Sequence, residues 1–424
     1  MKLYAQYGSG PGTKITDGLQ RGLIDGVIMG AKDESASYQN VFMKNLSEVH
    51  GGARLLFDPQ FYACFIATKD RARLGALWGE DSHGFSDGNG YFRPLRRRDL
   101  EKEIDATREL ERCLGHQTQM PVHALIAPNI VIRRSLDSME AAIAKTFIRL
   151  SADCRDVVAP GKPVLATLAV SSQALSDRSE LLAFLDDITM LDNPPDGFYL
   201  LLENQESTVP PTLTEPDTLA RWMLFNRAFK INGFEVVNGY SDLLSPYLGA
   251  AGGDAGAAGW HGTLKSFSLD RFEPLEGRKG RASARYTSAK LLKSIKWSEL
   301  ESVGSVFPEV WNNLPCDAYF KPVDEESLNL IQEGEFEPNL AAQTLQNWEA
   351  LRAMNQLLAL PGEPVAAIHA CHAALNEAQG MYAAINDRGL TLREKSNSQH
   401  VPALKEELNS FVRLAELSVG DSLE

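Results

Sequence analysis

The chain has 424 residues, of which 44% are hydrophobic, so it is long enough to bury at least one large core. Its 42 lysine and arginine residues are outnumbered by 56 aspartate and glutamate residues, and the net charge of -14 excludes a protein that binds nucleic acid over its whole surface. Any contact with a phosphate backbone must therefore be local.

Cysteine content and the first residues indicate the compartment. The five cysteines are scattered and include no C-x-x-C pair, which favours a reducing compartment over a disulfide-stabilised fold. The opening MKLYAQYGSG lacks the apolar core of a signal peptide, and no segment approaches about 18 consecutive apolar residues. We therefore expect a cytoplasmic protein that does not enter a membrane.

Apolar runs typical of buried strands alternate with segments of helical periodicity. The predicted strands are Leu3–Tyr7, Gly26–Met29, Arg54–Phe57, Val122–Ile126, Pro163–Val170, Gly197–Leu202, Phe234–Val237 and Ala257–Trp260. Helices are predicted between them, and the second of these ends at Val49. The others are Thr13–Leu23, Arg98–Cys113, Ser135–Val157, Asp177–Met190 and Glu215–Lys230. We take Ser135 as the N-cap of its helix. This order predicts an α/β fold, a (β/α)8 TIM-like barrel.

An open doubly wound sheet is the alternative fold, but its dinucleotide fingerprint is absent. The first loop, GSGPGT, has the spacing G-x-G-x-G, and Lys14 does not stand in a phosphate-loop spacing. We interpret these glycines as a tight turn, with anion binding at the next helix as a second interpretation. The long polar insertion between Lys69 and Pro94 is predicted to be a lid or a disordered loop.

The segment RLLFDPQF, from Arg54 to Phe61, is the pattern around which the barrel is organised. Its apolar run ends at Asp58, and Pro59 then stops the strand because proline has no N–H group for the ladder. A carboxylate at the carboxyl end of a barrel strand is where catalytic groups are found. The alternative is that Asp58 only caps the following turn.

Charge reverses after the eighth predicted strand. Nine basic residues face three acidic ones in the segment 265–296: Lys265, Arg271, Arg278, Lys279, Arg281, Arg285, Lys290, Lys293 and Lys296. We assign residues 1–296 to the barrel, with this basic rim at its end, and predict that Arg278, Lys279, Arg281 and Arg285 contact nucleic acid. A solvated linker is the alternative.

Residues 297–424 are predicted to form a smaller helical C-terminal domain. Apolar residues at helical spacing predict helices at Asn339–Leu360, Glu363–Asn386 and Pro402–Leu417. Such helices could support a homodimer or bind a protein partner. Their sequence contains no motif that indicates a catalytic reaction.

Polar residues follow each predicted strand, and in a barrel they converge on one pocket. We predict Asp58, Glu203 and His261 as catalytic, because paired carboxylates suit acid–base or nucleophilic work. Amide and phenol groups suit the edges of a heterocycle, which predicts ligand binding by Gln60, Asn129, Asn204, Asn238 and Tyr240. Each also has a structural interpretation: Glu203 can cap a helix, and Asn238 can turn the chain.

No cofactor is predicted. His369, Cys371 and His372 lie in the sequence HACH, and Cys316 is the only further cysteine that could complete a zinc site with them. We consider helical packing the better interpretation of these histidines. No serine stands in a G-x-S-x-G elbow, which disfavours a hydrolase triad.

Three pieces of the chain resemble the tRNA-guanine transglycosylase family, whose members exchange guanine for a deazaguanine in RNA, with relatives acting on DNA. They are DGVIMG at the second strand, RLLFDPQFY at the third and FEVVNGYSDLLSPYLGAAGG before the eighth. The resemblance implies a barrel that binds a purine-like base, with Asp58 as the carboxylate that holds it. It also implies tRNA or DNA as partner, gripped by the basic rim.

The chain departs from the family at two positions. WHG stands where the family has its nucleophilic aspartate, so His261 takes that place, and the Cys-rich zinc subdomain is reduced to Cys316 and HACH. Two other functions therefore stay open: a lyase or hydrolase of a small metabolite that uses Asp58 with Glu203, and a non-catalytic barrel subunit of a larger complex.

Overall fold

The computed structural model describes residues 1–77, 90–204, 216–274, 283–306, 338–360, 363–393 and 395–418. Nine parallel strands come first: β1 (Lys2–Gln6), β2 (Gly26–Gly30), β3 (Arg54–Asp58), β4 (Leu125–Ala127), β5 (Val131–Ile132), β6 (Val164–Ser171), β7 (Gly197–Glu203), β8 (Glu235–Asn238) and β9 (Ala255–Ala258). The helices among them are α1 (Lys14–Gln20), α2 (Ala36–Val49), α3 (Glu103–Gln117), α4 (Met139–Val158), α5 (Arg178–Thr189), α6 (Thr218–Ile231) and α7 (Ser245–Ala250).

The strands form one curved parallel sheet. Their order is β3-β2-β1-β9-β8-β7-β6-β4, and the short β5 also pairs with β6. The two ends of this sheet meet, because the backbone N–H of His123 donates to the carbonyl of Leu55 at 2.8 Å and the Leu55 N–H donates to Nδ1 of His123 at 3.0 Å. The predicted α/β TIM-like barrel is therefore confirmed, and the open sheet is excluded.

Burial explains why these segments become strands. All seven residues of β7 are buried, as are all five of β2, which is the pattern of strands covered on both faces. The sequence predicted each barrel strand near its observed place, but it missed β5 and α7. Ser135 was predicted as an N-cap; the N-cap of α4 is Ser138, because the Ser135 hydroxyl instead donates to Glu180 at 2.7 Å.

In the described residues after β9, the chain forms a hairpin and four further helices. The hairpin strands are β10 (Arg285–Ser288) and β11 (Lys293–Lys296), and the helices are α8 (Trp297–Val306), α9 (Leu340–Leu358), α10 (Pro364–Asp387) and α11 (His400–Leu414). Helix α9 packs against α1, β1 and α7, which is the position of the eighth helix of a barrel. The barrel wall is thus completed by a helix from far along the chain.

The C-terminal region is joined to the barrel by more than α9. Helix α11 packs on α6, and the Glu407 carboxylate accepts a hydrogen bond from the Ala220 N–H in the first turn of α6 at 2.9 Å. Helix α10 packs on α7 and α11. This packing crosses the boundary predicted at residue 296, and a partner for these helices stays a prediction. None of the described helices is long and apolar enough to span a bilayer.

The hairpin packs on the C-terminal helices. Thr287 donates from its backbone to Gln346 at 2.8 Å and from its hydroxyl to Asn347 at 2.6 Å. The Arg285 guanidinium donates to the carbonyl of Lys395 at 2.9 Å, and Lys293 donates to the carbonyl of Asn397 at 3.1 Å. Arg285 and Lys293, two basic residues of the rim, therefore form hydrogen bonds within the fold.

Candidate active site

Asp58 lies at the carboxyl end of β3 and is only 1% exposed. Its Oδ1 accepts the backbone N–H of Gln60 at 2.9 Å. Its Oδ2 accepts three phenol hydroxyls, from Tyr62 at 2.9 Å, Tyr199 at 3.2 Å and Tyr240 at 3.4 Å. We call these five residues the cage: Asp58, Gln60, Tyr62, Tyr199 and Tyr240.

Three parts of the chain contribute to the cage. Tyr62 stands in the short 3-10 turn that follows β3, Tyr199 points inward from the middle of β7, and Tyr240 follows β8. Asp58, Gln60 and Tyr240 were predicted as site residues; Tyr62 and Tyr199 were not. Tyr62 could have been found, since it lies four residues after Asp58, whereas nothing local marks Tyr199.

The backbone of the cage is strained at two positions. Gln60 and Tyr240 both have φ of 51°, a left-handed conformation that costs a residue with a side chain roughly 1–2 kcal/mol. Their side chains meet, with the Gln60 amide donating to the Tyr240 hydroxyl at 3.4 Å. Gly30 makes room for the Gln60 side chain, because a β-carbon there would lie 2.7 Å from the Gln60 amide nitrogen. Strain of this kind is typical of functional sites.

Burial determines the protonation of the cage. Desolvation raises the pKa of Asp58 from 3.8 to about 6, although the hydrogen bonds from Gln60 and Tyr62 favour the charged form. Desolvation also raises the pKa of Tyr240 to about 12, so its hydroxyl stays protonated. A carboxylate that titrates near neutral pH, surrounded by phenol donors, is suited to transfer protons.

The raised pKa of Asp58 predicts a pH-dependent stability. Because the folded state binds this proton more tightly, the contribution is complete below about pH 4 and is lost as the pH rises through about 6. At about 1.4 kcal/mol for each pKa unit, wild type should lose about 2–3 kcal/mol relative to Asp58→Asn between pH 4 and 7. Urea unfolding at several pH values measures this, with Asp187→Asn on the surface as control. Parallel curves for wild type and Asp58→Asn would contradict the assignment.

Residues 262–274, which we call the plug, lie over the cage. Phe267 packs edge-on against Tyr62, with ring centroids 4.9 Å apart, and Phe272 lies 6.0 Å from the same ring. The Arg271 guanidinium donates to the Tyr240 hydroxyl at 3.0 Å and to Asp33 at 2.8 Å. Arg271 was predicted only as part of the basic rim; in the fold it is a buried group of this site.

An open cleft of about 230 Å³ lies at the ends of β5, β6 and β7. Glu203, at the end of β7, is held by Arg133 in a bidentate pair, with Nε at 2.9 Å from Oε2 and Nη2 at 2.6 Å from Oε1. The cleft is lined by Arg133, Ser171, Ser172, Gln173, Glu203, Ser268 and Asp270. Two of these, Ser268 and Asp270, belong to the plug. The two predicted carboxylates therefore lie in different places, Asp58 in the cage and Glu203 in the open cleft. The plug contacts both places.

The three predicted asparagines are engaged within the fold. Asn129 donates to the carbonyls of Ala144 and Thr167, and Asn238 exchanges hydrogen bonds with Asn226 at 2.7 and 3.2 Å. Asn204 donates to Ser266 at 2.8 Å, at the base of the plug. Their hydrogen bonds therefore stabilise the barrel and the plug, and we leave all three out of the candidate site.

His261 is exposed and begins the 3-10 turn that leads into the plug. Burial of part of the ring, together with nearby Lys14, lowers its pKa. Lys14 is itself buried: its amine donates to the carbonyls of Gly10 and Pro11 and lies 5.2 Å above the Trp260 ring. These contacts fix the glycine-rich turn from inside the fold.

The basic rim is mostly internal where the structure describes it. Lys265 pairs with the buried Asp242, and Lys290 pairs with Glu377 at 2.6 Å, in addition to the internal bonds of Arg271, Arg285 and Lys293. The other predicted nucleic-acid residues, Arg278, Lys279 and Arg281, lie outside the described residues, as does Cys316. Within the described ranges no three His, Cys, Asp or Glu side chains are grouped for a metal, and Cys371 and His372 are buried in the packing of α10.

The chain matches no protein-family model and no curated protein sequence. Among solved structures it is similar to dihydrodipicolinate synthase from Oceanobacillus iheyensis, at 14% sequence identity and a TM-score of 0.21. The alignment covers 77% of this chain and 82% of that chain. A likeness at this level supports no conclusion about function, which therefore rests on the geometry of the barrel.

Proposed function

We propose that this chain is a barrel enzyme that binds a planar, purine-like base and transfers a proton to it, with Asp58 as the carboxylate involved. The cage supports the proposal: a buried carboxylate with a pKa of about 6 stands at the end of a barrel strand, beside the strained Gln60 and Tyr240. The rest of the barrel must offset the free-energy cost of this strained backbone. Such strain is found mainly at functional sites, which supports a function for the cage.

The side chains of the cage are of the kinds that bind a flat polar ligand. Tyr62 and Tyr240 offer aromatic rings, while Asp58 and Gln60 offer an acceptor and an amide. A ring N–H donates well to a carboxylate, and a partly protonated Asp58 can return that proton to a ring nitrogen. These are the needs of a base that leaves or enters a glycosidic bond.

The specific reaction we propose is base exchange at a glycosidic carbon. It is supported by the resemblance of RLLFDPQFY to the tRNA-guanine transglycosylase pattern, in which Asp58 takes the place of the base-binding aspartate. Asp58 would protonate the departing base and accept the proton of the incoming one. The bond from the sugar carbon to the departing base breaks, and the same carbon then forms its bond to the incoming base. His261 stands where the family has its attacking carboxylate, and Glu203 is paired with Arg133.

A lyase or hydrolase of a small polar metabolite is the second candidate function. The open cleft supports it, because Glu203, Asp270, Arg133 and three serine residues line a space of about 230 Å³ at the carboxyl ends of the strands. In that case Glu203, rather than Asp58, would be the essential carboxylate. The two candidates therefore differ in the variant that loses activity.

Base exchange is tested directly with purified protein, labelled guanine or a deazaguanine, and either tRNA or duplex DNA. We expect wild type to incorporate label, Asp58→Ala to lose incorporation, and Glu203→Gln to keep at least a part of it. Asp187→Asn, on the surface of α5, serves as the control carboxylate.

Two other outcomes would decide against this reaction. Incorporation that survives in Asp58→Ala would remove Asp58 from its central role. If no base binds and no label enters either nucleic acid, base exchange is wrong. Loss of a metabolite activity in Glu203→Gln alone would then favour the second candidate, and absence of any activity would favour a non-catalytic subunit.

A further inference from the structure

The plug carries a cation into the barrel. The side chain of Arg271 is 5% exposed, and it pairs with Asp33, whose side chain is 13% exposed. Its guanidinium carbon lies 6.0 Å from the centre of the Tyr240 ring and 5.4 Å from that of Phe272. A carboxylate, a phenol hydroxyl and aromatic rings are the partners with which proteins recognise planar cations.

Arg271 does not use all of its donors. Its Nε is buried and has no hydrogen-bond partner among the described residues. The amide of Gln6, fully buried beside Tyr199, likewise has no partner of good geometry in the described part of the chain. A buried donor without a partner is destabilising, so one of the donors of Arg271 is not matched by its surroundings.

The plug is attached by side chains and single backbone bonds, without strand pairing. Lys32 donates to the carbonyl of Arg271 at 2.9 Å, and Arg73 donates to the carbonyl of Asp270 at 2.8 Å. The backbone N–H groups of Arg73 and Asn204 donate to Phe272 and Phe267, each at 2.8 Å. Its regular structure is limited to 3-10 turns, such as Leu269–Arg271. The plug also buries Leu264, Phe267, Leu269 and Phe272. Its opening therefore requires these apolar side chains to leave the core while the barrel strands stay paired.

We propose that the cage and Asp33 form a binding site for a planar, guanidinium-like group, and that the plug closes this site by filling it with the chain's own Arg271. A ligand would reach Asp58 only after the plug has moved. Ser268 and Asp270 of the plug also line the open cleft, so a ligand in that cleft would contact the element that closes the cage. The inference rests on the proposed function only in taking Asp58 as the group that is closed off.

The first experiment measures access to Asp58 without any assay of activity. Carbodiimide and glycine ethyl ester are added to the full chain, and the modification of Asp58 is followed by mass spectrometry. We expect the double variant Lys32→Ala, Arg73→Ala to be labelled at least tenfold faster than wild type. Arg98→Ala, at a surface side chain that is 72% exposed, is the control and should match wild type. Equal rates in all three proteins would overturn the plug as a closing element.

The second experiment tests the cation site. Arg271→Ala should bind methylguanidine, seen as a rise in Tm that wild type does not show and that Asp33→Asn, Arg271→Ala loses. Trimethylamine, a cation that is not planar, should give no such rise. A variant that binds both cations equally, or neither, would overturn the guanidinium-like site.

Hydrogen exchange on the wild-type protein covers the case in which these variants do not fold. The amides of Arg73 and Asn204, which are bonded to plug carbonyls, should exchange at least tenfold faster than the amides within β6. Protection equal to that of β6 would overturn the proposal. None of these measurements depends on base exchange, so failure of the plug and failure of the proposed function can be distinguished.

Discussion

Replacement of Trp348 by alanine is expected to lower the free energy of unfolding by about 3–5 kcal/mol, since a fully buried indole leaves a large cavity. Its Nε1 donates to the carbonyl of Ala258 in β9 at 2.9 Å, so the substitution also removes a bond between α9 and the barrel. The ring lies against α1 at Gly18, where a β-carbon would be 2.9 Å away. Chemical denaturation followed by far-UV circular dichroism measures the change.

Leu357→Ala is the matched control for Trp348→Ala. It lies on the same helix, its side chain is 64% exposed, and its replacement should change the unfolding free energy by no more than about 0.5 kcal/mol. If Trp348→Ala unfolds at the same denaturant concentration as wild type, α9 does not complete the barrel wall.

Because α9 completes the barrel wall, loss of function after removal of the C-terminal region would not show that this region itself has the function. Deletion of everything after Ser302 would remove α9 and expose β1, α1 and α7, which α9 covers. Such a chain would lose function through loss of the barrel. Truncation therefore cannot separate an enzyme from a non-catalytic subunit, whereas point variants at Asp58 and Glu203 can.

The barrel could be predicted because its signal is local. Apolar runs such as RLLF and FYLLL are buried on both faces, and each is long enough to be recognised alone. The position of α9 could not be predicted in this way. Its periodicity gives a helix, but contact with α1 depends on chain closure across more than 300 residues, which no local pattern encodes.

The candidate site was predicted only in part, for a similar reason. Asp58 and Gln60 stand directly after a strand, so the pattern of the strand marks them. Arg271 lies in a basic segment, where nine cations suggested a surface, yet its partner Asp33 lies 238 residues away in sequence. Asn129 and Asn238 also follow strands, but their amides form hydrogen bonds within the fold, and a polar residue at a strand end can have this structural role alone. Their predicted roles in ligand binding stay predictions.

The pair formed by Arg271 and Asp33 is expected to contribute strongly to stability. Either Arg271→Met or Asp33→Asn should cost about 3–5 kcal/mol, because each removes one partner of a nearly buried pair and leaves the other partner without its counter-charge. The double variant should cost less than the sum, by up to about 3 kcal/mol. Denaturation of the four proteins gives this coupling energy. The exposed pair Lys145–Asp187 is the control, with a coupling of at most about 1 kcal/mol.

The same variant connects the plug to the chemistry of the cage. The positive charge of Arg271 favours the ionised form of Asp58, so its removal should raise the pKa of Asp58 further above about 6. The pH at which wild-type stability falls relative to Asp58→Asn should therefore move upward when both proteins also carry Arg271→Met. Arg271→Met could lower stability by the expected amount and leave the pH midpoint of this stability difference unchanged. Arg271 would then hold the plug in place without influencing the pKa of Asp58. An upward shift would mean that the charge of Arg271, which the plug places beside the cage, makes Asp58 readier to give up its proton.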